Sequence, residues 1–340
     1  MGFEIFAALG FCLAAYSIVA NDAIQTIGTF ISSNAKRPWW ILWAYTASIL
    51  VAVMVYGYVS GAGDVAFGRL NRIPFPENGI EWWHVVPPIV LILLTRYGIP
   101  VSTTFLVLTL FVLSGGGATE GVMGKLLLKS GMGYAVAFVT GGVLYLLIAK
   151  SFERHIRNTA DKPINPLWYV AQWSSTCFLW TQWLMQDLAN IFVYMPRTTE
   201  VIDGQTHVTF TMGVIIPTTL LMVSFLGYIF WRGGGKIQQI VTRKVNTRDV
   251  RTGTIIDFTF AMMLFYFKGV NDIPMSTTWV FLGLIGGREL AIAAITDLRD
   301  RKAALTDIGS DMGRAFFGLI VSIFIAFLLP WIATGNMPNF

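Results

Sequence analysis

The chain has 340 residues, 55% of them hydrophobic and 13% charged, with a net charge of +5. Soluble domains carry about 25% charged residues, and this much apolar surface would leave large exposed patches on a single soluble core, whereas a bilayer can take it. The basic residues sit mostly between apolar runs, so the positive excess is read as orientation in a membrane and not as nucleic-acid binding.

In chain order, apolar segments of spanning length fall near 3–35, 40–60, 131–149, 168–195, 211–231 and 313–333. The first has no basic region before it, so a cleaved signal peptide is not expected. Two other regions are broken. The stretch 84–114 is interrupted by Arg96-Tyr97-Gly98-Ile99-Pro100, and 254–287 by Lys268-Gly269-Val270-Asn271-Asp272-Ile273-Pro274. Each arm has about 13–14 residues, or about 20 Å of helix, short of a hydrocarbon core about 30 Å thick. Both regions are predicted to be re-entrant hairpins, with non-helical tips surrounded by protein or a watery cavity. The stretch 288–304 alternates charges with Leu and Ala and reads as an amphipathic, solvated connector on the cytoplasmic side. Cys12 and Cys177 lie within apolar runs, and His84, His155 and His207 lack metal-ligand spacing, so neither a disulfide nor a metal centre is expected.

An internal repeat organises these segments. Ile99-Pro100-Val101-Ser102-Thr103-Thr104 recurs as Ile273-Pro274-Met275-Ser276-Thr277-Thr278, 174 residues on. Upstream, Asn21-Asp22-Ala23-Ile24-Gln25 corresponds to Gln186-Asp187-Leu188-Ala189-Asn190, 165 residues on. The expected fold is therefore an all-α integral membrane protein of two repeats, 1–150 and 168–340, joined by a polar cytoplasmic linker, 151–167. Each repeat has three spanning helices and one re-entrant helical hairpin. Three crossings per repeat is odd, so the repeats have inverted topology, a transporter architecture. Of the 24 Lys and Arg, 17 fall on one side and five on the other, with Arg96 and Lys268 in the hairpins. The richer side is placed in the cytoplasm and both termini outside.

Asp22 lies in an apolar span, where an ionised group is costly and usually faces a cavity or a partner. Helical spacing puts Gln25, Thr26 and Thr29 on its stripe, and Gln182, Gln186 and Asn190 on a matching stripe beside Asp187. These oxygens suit a hard cation; a carboxylate there can instead carry a proton, or the stripes can be polar seams between helices. Ser102, Thr103 and Thr104, and likewise Ser276, Thr277 and Thr278, open the second arm of each hairpin. Helix N-termini and hydroxyls facing one another would cradle a tetrahedral oxyanion, and Ser102 and Ser276 can also serve as N-caps. Arg96 and Lys268 would neutralise an anion, pair with a carboxylate such as Asp272, or snorkel to the interface. No role is assigned to Asp257.

These motifs carry a resemblance. "VANDAIQTIGT" and "GIPVSTT", with "MQDLANI" and "DIPMSTT" as second copies, resemble the paired motifs of the inorganic phosphate transporter (PiT) family, a likeness that extends to sulfate permeases. The resemblance implies phosphate bound between two hairpins, with coupling to sodium or protons near the Asn-Asp motifs. It implies cation or substrate roles for Asn21, Asp22, Gln186, Asp187 and Asn190, and an anion site lined by the two Ser-Thr-Thr groups. Phe105 and Trp279 stand where the family has histidine, and Gln25 and Gln186 where it has asparagine.

The leading expectation is a secondary transporter of inorganic phosphate coupled to a cation gradient, with no cofactor beyond sodium as a coupling ion. Asp22, Asp187, Gln25 and Thr26 are expected at the cation. Ser102, Thr103, Thr104, Ser276, Thr277, Thr278, Asn21, Gln186, Asn190, Arg96 and Lys268 are expected at the substrate. The alternatives are a sulfate or other oxyanion permease of the same fold, or an anion channel. No nucleophile–base pair points to an enzyme. The expected partners are phosphate or sulfate and the bilayer, not nucleic acid; a homodimer is compatible with the sequence.

Overall fold

The computed structural model describes residues 5–114, 122–202, 204–244, 246–270 and 276–335. Each half has a broken helix pair set between other helices. Helix α1 (Ile5–Ser33) contains a π-helical turn at Val19–Ala23 and is followed by α2 (Trp39–Ser60). A loop leads to a 3-10 turn (Trp82–Val85) and α3 (Val86–Arg96). After a break at Tyr97–Ser102, a second π-helical turn (Thr104–Leu108) runs into α4 (Thr109–Ser114). The long α5 (Val122–Asn158) follows. The second half has α6 (Pro166–Asp187) with its short continuation α7 (Ala189–Phe192), then α8 (Met212–Trp231) and the short α9 (Gln238–Thr242). Its broken pair is α10 (Val250–Val270) and α11 (Thr277–Ile295), and α12 (Arg301–Thr334) closes the chain. A two-stranded antiparallel hairpin, β1 (Thr198–Ile202) and β2 (Gln205–Thr209), connects α7 to α8.

Local chemistry sets the boundaries. Asn165 caps α6, accepting from the Leu167 amide at 2.9 Å, with Pro166 at the first helical position. Asp300 caps α12 through the Ala303 amide at 2.9 Å. Gly335 ends α12 with φ +75°, a left-handed stop that glycine takes without steric cost. Ser276 caps α11, its hydroxyl accepting from the Trp279 amide at 3.2 Å.

Among the described residues, seven helices are long and apolar enough to cross a membrane, and large apolar side chains such as Leu147, Leu220 and Phe324 stand exposed on the outside. Such a surface belongs in lipid. The chain is an α-helical, multi-pass membrane protein.

The first broken pair has the short arms expected. The second does not: α10 has 21 residues and α11 has 19. The charged residues at its ends led the sequence reading to stop both arms early. Arg288 and Glu289 are 0% and 1% exposed and lie inside α11, which corrects the reading of 288–304 as a solvated connector. Arg288 bonds Glu289 at 2.5 Å, stands 3.7 Å from Glu153 of α5, and lies over the Tyr145 ring; Arg299 also bonds Glu289. A paired charge can be buried where a lone one cannot. The polar stretch after residue 150 is helical through Asn158.

The halves embrace each other. The second arm of the first broken pair packs on α12, and α11 packs on α5. The α5–α11 approach is very close. A Cβ at Gly141, Gly283 or Gly287 would collide with the backbone oxygens of Leu284, Tyr134 and Phe138 respectively, so glycine is what permits it. Helices α2 and α8 also pack together, and α6 lies along α10. Indole N–H groups are satisfied across these seams: Trp43 donates to Val223 O at 2.9 Å and Trp180 to Thr46 O at 3.0 Å.

Candidate functional site

The polar residues of the two repeat motifs meet at one place, sealed from outside. Asn21, Asp22, Gln25, Thr103, Thr104, Gln186, Asp187, Asn190, Thr277 and Thr278 are all buried. In the first half the π-helical turn interrupts the regular ladder of α1 at Asn21 and Asp22. Such turns often mark functional positions because they re-aim side chains out of register. Asn21 Nδ2 donates to Val101 O in the hairpin break at 2.6 Å and to Asp22 Oδ1 at 2.6 Å. The turn is thereby fastened to the hairpin.

Hydroxyls from both hairpins converge on the carboxylates. Thr103 Oγ1 donates to Asp22 Oδ2 at 2.5 Å. In the other half, Thr277 interacts with the Asp187 carboxylate, the equivalent pairing. Three contacts, from Asn190 and Thr278, then cross between the halves. Asn190 Nδ2 donates to Thr103 Oγ1 and to Asp187 Oδ1, both at 2.8 Å. Thr278 Oγ1 lies 3.2 Å from Val101 O and 3.4 Å from Asp22 Oδ1. Asp22 and Asp187 also repel one another electrostatically.

Four buried oxygens at or near this centre, Gln25 Oε1, Asp187 Oδ2, Asn190 Oδ1 and Gln182 Oε1, accept no hydrogen bond within the protein. Acceptors lacking donors, beside two carboxylates, could hold a hard cation.

Not every expected residue points inward. Thr26 Oγ1 bonds back to Asp22 O at 2.9 Å within its own helix. Gln186 Nε2 donates to Leu264 O of α10 at 2.8 Å, tying α6 to the second broken pair. Ser102 and Ser276 act as caps, Ser102 accepting from the Phe105 amide at 3.4 Å. Arg96 stands apart from this centre, at the exposed end of α3 beside Lys236, Arg243 and Arg314. The side chain of Lys268 and residues 271–275, with Asp272, lie outside the described residues.

Two residues at this centre or near it were not singled out from the sequence. Arg69 lies in the loop between α2 and the first broken pair. Its Nε is buried without a partner, and its guanidinium interacts electrostatically with Asp187. Burial pulls its pKa down to about 10, while Asp187 acts in the opposite sense. Asp257 of α10 is 0% exposed and accepts from Thr29 Oγ1 and, at 2.6 Å, from Thr176 Oγ1. It bridges α1, α6 and α10. An acid inside an apolar run was the available signal, the same one that marked Asp22.

The geometry defines a helical membrane protein with a sealed polar centre built from two broken helix pairs. No protein-family model matches the chain, and no curated protein matches it in sequence. Among solved structures it is similar to one described as the sodium-dependent phosphate transporter. The TM-score is 0.64 at 15% identity, over 98% of this chain and 99% of the other. The two proteins share a fold from end to end.

Proposed function

We propose that the chain is a secondary transporter of inorganic phosphate, driven by a cation gradient, with the fold and paired motifs of the inorganic phosphate transporter family. The observation that carries this reading is the convergence of Thr103, Thr277 and Thr278 on Asp22 and Asp187. The fold shared with a sodium-dependent phosphate transporter supports it. In this reading 1–150 and 168–340 are inverted repeats joined by 151–167. The reciprocal packing of each broken pair on the last helix of the other half supports that division. The basic side faces the cytoplasm of a cell membrane, and both termini lie outside.

The hydrogen bonds supply a coupling mechanism. A threonine hydroxyl has one proton to donate. In this sealed form Thr103 spends it on Asp22. A sodium ion held by Asp22 and the unpartnered oxygens near Asp187 would replace the hydroxyl as the carboxylate's partner. Thr103 and Thr278 can then turn their protons to a phosphate oxygen. The cation therefore binds first and prepares the anion site, and an anion without its cation meets carboxylates that repel it. Alternation of the two halves about this centre completes transport.

The test is uptake of labelled phosphate into proteoliposomes, with and without an inward sodium gradient, and with excess unlabelled sulfate. Sodium-driven uptake that sulfate does not reduce is expected. Folded protein that takes up no phosphate, or passes ohmic anion current, would overturn the reading.

A further inference from the structure

The first hairpin's tip borders a second polar environment, whose lining does not include Ser102 or Thr103. A cavity of about 280 Å³ opens between Arg96, Tyr97 and Gly98 at the end of α3, the segment from Lys236 to Lys244, and the first turns of α12. Five basic and two acidic side chains line it. Both acids are already engaged: Asp311 bonds Lys244 at 2.7 Å, and Asp307 bonds Arg299. The other four cations, Arg96, Lys236, Arg243 and Arg314, make no ion pair or side-chain hydrogen bond with any described residue. They come from three separate parts of the chain, one in the first half and two in the second.

Like charges held around one cavity repel, and their separate elements have no reason to meet there unless something negative lies between them. Three of the four are arginines. A guanidinium presents a planar fork of donors that matches two oxygens of a phosphate group, where an ammonium is only a point charge. The cavity is close to the lower end of ligand pockets, about 300 Å³, so a phosphate group with some of its water fits.

We propose that this cavity is a second anion site, on the cytoplasmic face, that takes a phosphate group. Its cytoplasmic setting rests on the transporter reading; its chemistry does not. Free inorganic phosphate and the phosphodiester of an anionic lipid share that chemistry. A bound phosphate would tie Arg96, six to eight residues from the hydroxyls Ser102, Thr103 and Thr104, to Arg243 and Arg314 of the other half. It would thus hold the first hairpin's tip in place.

The test is equilibrium binding of labelled inorganic phosphate to the full chain in nanodiscs of phosphatidylcholine alone, at constant chloride. The wild type is expected to bind two phosphates, one sodium-dependent and one not. Arg96→Gln/Arg243→Gln/Arg314→Gln is expected to lose the sodium-independent one and keep the other. Arg96→Lys/Arg243→Lys/Arg314→Lys, which keeps the charge, is expected to bind at the sodium-independent site at least tenfold more weakly. Sodium-independent binding equal to wild type in either triple variant would overturn the site, since a diffuse basic surface needs no forks. If only the sodium-independent phosphate binds, and the Gln variant abolishes it, the second site stands and the transporter reading falls. Discs containing phosphatidylglycerol identify the source: loss of the sodium-independent component marks a lipid headgroup as occupant, and its persistence marks free phosphate.

Discussion

Asn190 of the second half donates to Thr103 in the hairpin of the first, at 2.8 Å, while Thr103 donates in turn to Asp22. One hydroxyl thus links a motif from each half. Thr103→Val keeps the shape and removes both bonds. Hydrogen bonds to charged groups are worth about 1.5–3 kcal/mol, so phosphate KM should rise at least tenfold, with little change in thermal stability. Thr103→Ser should restore it. Equal KM for Val and wild type would show that the hydroxyl never meets the substrate.

Asp22→Asn and Asp187→Asn each remove one of two facing carboxylates while keeping a side chain of the same size. Sodium-driven uptake should fall to background in both, in protein that elutes and melts like wild type. A variant that still concentrates phosphate against its gradient would remove that carboxylate from the coupling site.

Arg69→Gln removes the cation that acts on Asp187 from the loop. Phosphate KM should rise about tenfold, equivalent to about 1.4 kcal/mol, because the anion loses a compensating charge. Half-saturating sodium should not rise, since Asp187 then faces one positive charge fewer. A rise in both constants would point to a collapsed loop instead.

Gly287→Ala drives a methyl group into the carbonyl of Phe138 where α5 and α11 meet. Overpacking of this kind costs about 1–3 kcal/mol, and a lower melting temperature in detergent is expected. Gly124→Ala, at an open position on the same α5, should leave it unchanged. Equal melting temperatures for both would show that the helices part easily.

Arg288→Ala takes the ion-pair partner from Glu153 and leaves Glu289 with Arg299, in the interior. Breaking a buried pair costs about 3–5 kcal/mol, enough to reduce the yield of folded protein sharply. Arg288→Met with Glu289→Gln should recover part of it.

Much of the centre was legible because it is repeated. The recurrence of Ser-Thr-Thr and of Asp22 as Asp187 identified residues that the fold does bring together, and the Gly98–Pro100 break located the first broken pair. Periodicity and hydropathy could not separate lipid-facing from protein-facing surfaces, so the ion cluster at Arg288 looked like solvent-exposed charge. Arg96 was expected at the substrate because it and Lys268 are the basic residues of the broken regions. The break at Tyr97–Ser102 turns the chain between Arg96 and the central hydroxyls. Asp257 gained meaning only through Thr29 and Thr176, one of them 228 residues away. Pairings across that separation have no local sequence mark.

The π-helical turn at Val19–Ala23 has no twin in the second half, where α6 instead stops at Asp187 and restarts at Ala189. Two identical inverted halves could trade conformations at no free-energy difference, leaving a transporter with no preferred resting side. An extra residue wound into one half and not the other breaks that degeneracy. If the chain alternates as proposed, the empty protein would then have a default facing, set by the backbone beside Asp22, and a gradient would work against that bias on one half-cycle and with it on the other.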